Sequence, residues 1–216
     1  MPPSSCTLDF DQLPSVLGTK TECRGVMPLV DWYRRNRARS AALFDLLDDG
    51  AYYVRPIALR QPVVFYEGHL PAFSFNTLVK RGLGRPSIDA SLESLFARGI
   101  DPEETAASAQ ASSNAQWPTR EQVKAFAARA DEQVLNALAH DDIDQPDDPL
   151  LHRSEAALCI LEHEAMHQET LLYMWHQIPY AQKRRPRGYR PRVEGSRRLR
   201  RGWRCPEGSP PSVWRP

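Results

Sequence analysis

Apolar residues recur along most of the chain at intervals of three and four, and no long stretch alternates strictly between apolar and polar. A helix that presents one face to a core has this period, whereas a half-buried strand alternates every second residue. From Met27, the positions Val30, Tyr33, Ala41, Phe44 and Leu47 keep helical spacing, with Arg34, Arg35, Arg37 and Arg39 between them, until Gly50 stops the run. The pattern predicts a first amphipathic helix whose arginines form its solvated face. Pro56 and Pro62 mark a loop, after which "VVFYEGHLPAFSFNTLVKRGL" predicts a second helix bounded by Gly82 and Gly84. Pro71 inside it removes a hydrogen bond and crowds the carbonyl of Glu67, so a kink is expected beside His69.

Residues 83–117 combine a short amphipathic piece, "SLESLFARGI", with small and polar residues, and read as a long surface crossover. Thr119 and Gln122 then form a capping-box signature ahead of a stripe of Val123, Phe126, Ala127, Ala130, Val134, Ala137 and Leu138. Beyond "HDDIDQPDDP", Asp148 and Pro149 are placed to start a last helix that runs from Leu150 to about Ile178, before Pro179. Four long helices and one long crossover predict an all-α four-helix bundle. The expected organisation is a loosely ordered segment over 1–26, the bundle over 27–182, and a disordered tail over 183–216.

A chain of 216 residues suits one domain of ordinary size with its own core. Its formal net charge is +1, but the tail from Lys183 holds 12 Lys/Arg against 2 Asp/Glu, so an acidic body carries a basic end. Trp203 and Trp214 in that tail belong to no recognisable module, and specific nucleic-acid binding is not expected. The composition shift just after the bundle reads as a truncated remnant or an out-of-frame end. Cys6, Cys23, Cys159 and Cys205 are scattered without paired spacing, and Cys159 is read as a small core residue. A reduced, cytoplasmic chain is expected, with neither a membrane span nor an export signal.

The last helix carries "LEHEAMHQET", which contains the HExxH spacing. His163 and His167 lie one turn apart on a helix, so their imidazoles can close on one metal ion. Their neighbours one turn away include Ile160 and Leu171, which directs both rings along an apolar face. The bland alternative is a pair of core histidines bonded to Glu162, Glu164 or Glu169. Of the remaining histidines, His140, His152 and His176 lack an apolar helical setting, while His69 has Phe65, Tyr66, Ala72 and Phe73 around it. If the second and fourth helices pack together, His69 completes a three-histidine face with positions left open for other ligands. Imidazole suits iron, zinc, nickel and copper alike, so ligand type does not name the metal. Tyr66, Glu67, Glu164 and Glu169 are candidate acceptors for the outer ring N–H groups. A zinc protease would need a further ligand downstream, and neither the Gly nor the His of the extended motif is present.

With "FYEGHLPAF" and "SLESLFARGIDPEE" followed by "HEAMHQET", the chain resembles the DinB-like N-terminal domain of the nonheme iron sulfoxide synthases of ergothioneine and ovothiol biosynthesis, over roughly residues 27–182. The resemblance implies Fe(II) held by His69, His163 and His167, with O2, a small-molecule thiol and a histidine-derived acceptor as substrates. It implies oxygen-dependent joining of sulfur, as a sulfoxide, to the imidazole of (trimethyl)histidine. Family members continue into a C-terminal domain resembling the formylglycine-generating enzyme, which supplies much of the substrate pocket. Nothing of that domain is recognisable here, so the chain reads as an incomplete synthase, with a separate C-terminal catalytic domain as a candidate partner. The alternative is a stand-alone DinB-like thiol transferase that uses zinc or nickel to activate a thiol.

Overall fold

The computed structural model describes residues 26–99, 117–186 and 188–190, and those residues form five helices and no strand. Helix α1 spans Val26–Phe44, α2 Val63–Ser74, α3 Ala90–Phe96, α4 Arg120–His140 and α5 Glu155–Gln177. Helix α2 continues without a break into a π-helical segment, Phe75–Gly82, so four long elements and the short α3 make up the bundle. Helix α2 packs on α3, α4 and α5, and α1 packs on α4 and α5. The sequence-based reading of an all-α four-helix bundle is the architecture observed.

The start of α4 follows its signature. Thr119 Oγ1 accepts from the Gln122 N–H at 3.3 Å, and Gln122 Oε1 accepts from the Thr119 N–H at 2.8 Å, which satisfies two helix-end donors reciprocally. All seven residues of the predicted stripe, from Val123 to Leu138, are buried.

Three local expectations need correction. Helix α1 ends at Phe44 rather than near Gly50, because Asp48 caps a separate short turn, Asp49–Ala51. Helix α5 starts at Glu155, not Leu150. Asp48's counterpart there, Asp148, accepts from Leu150 and Leu151 N–H in a tight turn, and Arg153 and Ser154 both take positive φ before the helix begins. That turn seats Leu151 in the core against Gly82. The departure from α geometry in the second helix begins at Phe75, one turn beyond Pro71, where the Phe75 N–H reaches both Pro71 and Ala72 carbonyls.

The core divides into two apolar clusters. One gathers Phe65, Tyr66, Leu70, Phe96, Phe126, Leu171 and Trp175; the other gathers Val30, Phe75, Leu78, Val134, Ile160 and Leu161. Along α2 the first cluster precedes the second, and along α5 the order reverses, as expected for antiparallel neighbours. His69 lies near the crossover on α2, and His163 and His167 fill the gap between Leu161 and Leu171 on α5. After α5 the chain returns beside the α1–α2 connection: Lys183 forms an antiparallel bridge with Leu47, and the Arg184 N–H donates to the Leu46 carbonyl at 2.7 Å. The N-terminal segment expected to be loosely ordered, the small-residue part of the crossover and the tail from residue 191 fall outside the described residues.

Candidate metal centre

Helix α2 is buried on almost every side, with Val63 to Tyr66 and Gly68 to Ala72 all buried. A helix sunk this deeply brings His69 into the interior. Its Nδ1 lies 2.7 Å from the Phe96 carbonyl, which can only accept, so Nδ1 carries the proton and Nε2 presents a lone pair. That contact depends on Gly68, where any Cβ would overlap the Phe96 ring.

His69 Nε2 faces His163 Nε2 at 3.3 Å, although 94 residues separate them in sequence. Two nitrogens each about 2.0–2.1 Å from one ion stand roughly 3 Å apart. The His167 ring lies 4.5 Å from that of His163 and 5.0 Å from that of His69, centroid to centroid, and one ring nitrogen from each of the three lies within 4.8 Å of the others. Phe73 stacks on His163 with centroids 3.5 Å apart and planes 11° from parallel, and Phe65 stacks on His69. His69 and His167 are buried and His163 is half-buried.

Burial lowers the pKa of all three imidazoles, that of His163 to about 3 and that of His167 to about 4; neighbouring histidines add to the shift at His163 and His167, while the Phe96 carbonyl opposes it at His69. Neutral imidazole is the form that binds metal. A hydrogen bond between His69 and His163 would satisfy one pair of nitrogens only. His167 makes no side-chain hydrogen bond to a described residue, and its Nδ1, like that of His163, is buried without a partner. A single cation accommodates all three lone pairs at once, so the residues present fit a divalent metal.

The rotation of α5 is set from the adjacent face, about 100° round the helix from the histidines. Glu164, fully buried, accepts from Ser40 Oγ at 2.6 Å and Arg37 Nη1 at 3.0 Å. Gln168 Nε2 donates to the Asn36 carbonyl and to Ser40 Oγ, both at 3.0 Å, and Asn36 Nδ2 donates to the Leu161 carbonyl at 2.9 Å. Each histidine of α5 is thus followed directly by a residue pinned to α1. Arg37 also reaches Asp131 on α4 at 2.8 Å, and Tyr33 donates to the same carboxylate at 2.7 Å. Burial pushes the Glu164 carboxyl up, and Arg37 and Ser40 work against that shift.

This network corrects two expectations and reassigns the candidate acceptors. Arg37 does not belong to the solvated face, and Cys159 is exposed rather than a core residue. Glu164, the acid of HExxH, points at α1 and not at the histidines, so it is not placed as a protease base would be. Glu67 pairs with Arg120, and Glu169 is exposed. Tyr66 remains beside the site, its ring 6.0 Å from that of His167. The acceptor that orients His69 is a backbone carbonyl, and no side-chain pattern marks a carbonyl in advance. Phe73 lay within the recognised helix, but its stacking on His163 depends on how α2 and α5 pack.

An all-α bundle with a triad of histidines drawn from its second and last long helices is the class that fold and site define. The chain belongs to the DinB superfamily, whose family model matches residues 33–171. It is 29% identical over 174 residues to a Neurospora crassa protein named "Ergothioneine biosynthesis protein 1", an alignment covering 79% of this chain and 19% of that protein. The chain therefore spans about a fifth of the length of the curated relative it matches. Among the described residues no helix is long and apolar enough to cross a membrane.

Proposed function

We propose that this bundle is the Fe(II)-binding part of a sulfoxide-synthase-type oxygenase, which uses O2 to join a thiol sulfur to the imidazole of (trimethyl)histidine. The observation that carries the reading is the convergence of His69, His163 and His167 in a chain whose relative is named for ergothioneine biosynthesis. Three imidazoles leave coordination positions open, which a bound iron ion needs if it is to meet a thiol and O2 together. The chain's own residues supply the rest: Phe96 fixes the tautomer of His69, Phe73 holds the plane of His163, and burial keeps all three rings neutral. The remaining length of the relative is where groups that position the histidine-derived acceptor would lie, and positioning is a large share of such catalysis.

Metal stoichiometry after anaerobic reconstitution with Fe(II), and separately with Zn(II), tests the site. One ion per chain is expected, and it should be lost in His69→Ala and His163→Ala while the helical content stays unchanged. Absence of stoichiometric metal in the folded, unmodified chain would sink the proposal. O2 uptake by the Fe(II) form in the presence of a thiol and trimethylhistidine then separates the oxygenase from a DinB-like thiol transferase, which would turn over anaerobically with zinc or nickel.

A further inference from the structure

A second chemical feature adjoins the histidines and plays no part in holding a metal. A cleft of about 390 Å³ runs between the π-helical segment Phe75–Gly82 and α3, with His69 and Phe73 at one end and Asn76, Lys80, Arg81 and Ser94 along its walls. Its volume suits a small molecule. In a helix bonded from each residue to the fifth beyond, residues four and five apart both stand over one another. Lys80 and Arg81 therefore both rise above Asn76 on the cleft side, where an α-helix would carry Arg81 away.

The two cations are not equivalent. Lys80 is matched by Glu93 at 2.6 Å. The Glu93 carboxylate also accepts from Ser87 Oγ and from the N–H groups of Ile88 and Asp89, at 2.7–2.9 Å. Burial pulls the Glu93 carboxyl up, but these donors and Lys80 outweigh it and hold the group at about 2. Glu93 is thereby committed to Lys80 and to the start of α3. Arg81 has no ion pair or hydrogen bond with a described residue, and neither the Asn76 amide nor the Ser94 hydroxyl has one. The cleft holds one unmatched guanidinium and two uncommitted hydrogen-bonding groups.

We infer that the cleft takes the carboxylate of a small-molecule ligand, held by Arg81 with Ser94 and Asn76, while the rest of the ligand extends toward His69. A planar guanidinium binds a carboxylate through two parallel hydrogen bonds, and one unmatched cation is balanced by a monoanion better than by a doubly charged phosphate. At about 1.5 Å of rise per residue in the α-helical half and less in the wider π-helical turns, His69 and Arg81 are separated by at most roughly 18 Å along the helix. Their side chains cover part of it, leaving a span on the order of 10 Å for the ligand. The assignment rests on the proposed metal centre only for its distal end.

The test loads the full chain with Co(II) and titrates mercaptopropionate, mercaptohexanoate and mercaptooctanoate, each against the alcohol of the same chain length, following the thiolate-to-Co(II) absorption band. The acid should saturate at roughly tenfold lower concentration than the alcohol for the longest pair, with little difference for the shortest. Arg81→Ala should abolish the preference, and Arg81→Lys should lose most of it, because the fork is gone although the charge remains. Arg81 is exposed, so unchanged thermal midpoints check that both variants fold. Equal saturation by mercaptooctanoate and its alcohol in the unmodified chain overturns the carboxylate site and leaves the metal reading intact. If no band forms with any thiol, octanoate is titrated into the metal-free chain and the Arg81 Nε–H resonance followed. A saturable shift supports the carboxylate site and removes the thiol-binding reading, and no shift overturns both. Stronger displacement of mercaptooctanoate by inorganic phosphate than by acetate also overturns the carboxylate assignment.

Discussion

Gly68 sits where α2 and α3 touch, with the Phe96 ring in the space a Cβ would fill. The same Phe96 supplies the carbonyl that orients His69, so one small residue sets both the packing and the tautomer of His69. Gly68→Ala should cost about 1–3 kcal/mol by overpacking and also weaken Zn(II) binding, by about tenfold or more on the scale seen when an orienting partner is lost. A chelator-competition titration beside a thermal melt checks both; unchanged affinity in a destabilised variant would refute the coupling. The histidines themselves make the metal-free chain sensitive to acid. Ordinary imidazoles titrate near 6.5, while burial lowers His163 to about 3 and His167 to about 4. Between those limits the unfolded chain takes up protons that the folded chain refuses, so stability falls as pH drops from about 6.5 and levels off below about 3. Denaturant midpoints of the metal-free chain at pH 7 and pH 5 should show this loss, and a His163→Ala/His167→Ala double variant should show a smaller one.

At the scale of elements, α5 is held between two different contacts: histidines on the side facing α2, and Glu164 and Gln168 on the side facing α1. Arg37→Ala would leave Glu164 buried without its cation, at a cost of roughly 3–5 kcal/mol. Adding Glu164→Gln should recover part of that loss, because the stranded charge is removed; urea unfolding of the single and double variants measures it, and no recovery would count against Arg37 and Glu164 as the coupled pair. The periodicity of α4 and its capping box were legible because both are local: the stripe needs only 3.6-residue spacing, and the cap spans four residues. The histidine pair of α5 was legible for the same reason. The role of Arg37 was not, since a charged residue on an amphipathic helix reads as solvated until a second helix brings it a buried partner. Nor was the π-helical stretch, whose sequence carries no local mark that separates a π-helix from an α-helix, or the left-handed pair Arg153–Ser154, where no glycine announces a turn.

For the whole molecule, a metal that binds the folded chain and not the unfolded one adds stability by mass action. At a free ion concentration about a hundred times its Kd the gain is about 2.7 kcal/mol, or roughly 5–10 °C in Tm for a chain of this size. Stripping with EDTA should reverse the shift, and a Tm unaffected by chelator would contradict a bound ion. The centre also joins parts of the polymer that are far apart along it, His69 and His163 being 94 residues distant. An ion held between them closes the intervening chain into a ring. Pulled from its two ends, such a molecule transmits tension through the ion and past the ring, so that α3 and α4 are shielded from the load until coordination breaks. The three histidines proposed to hold the ion would then act as a mechanical rivet across the bundle.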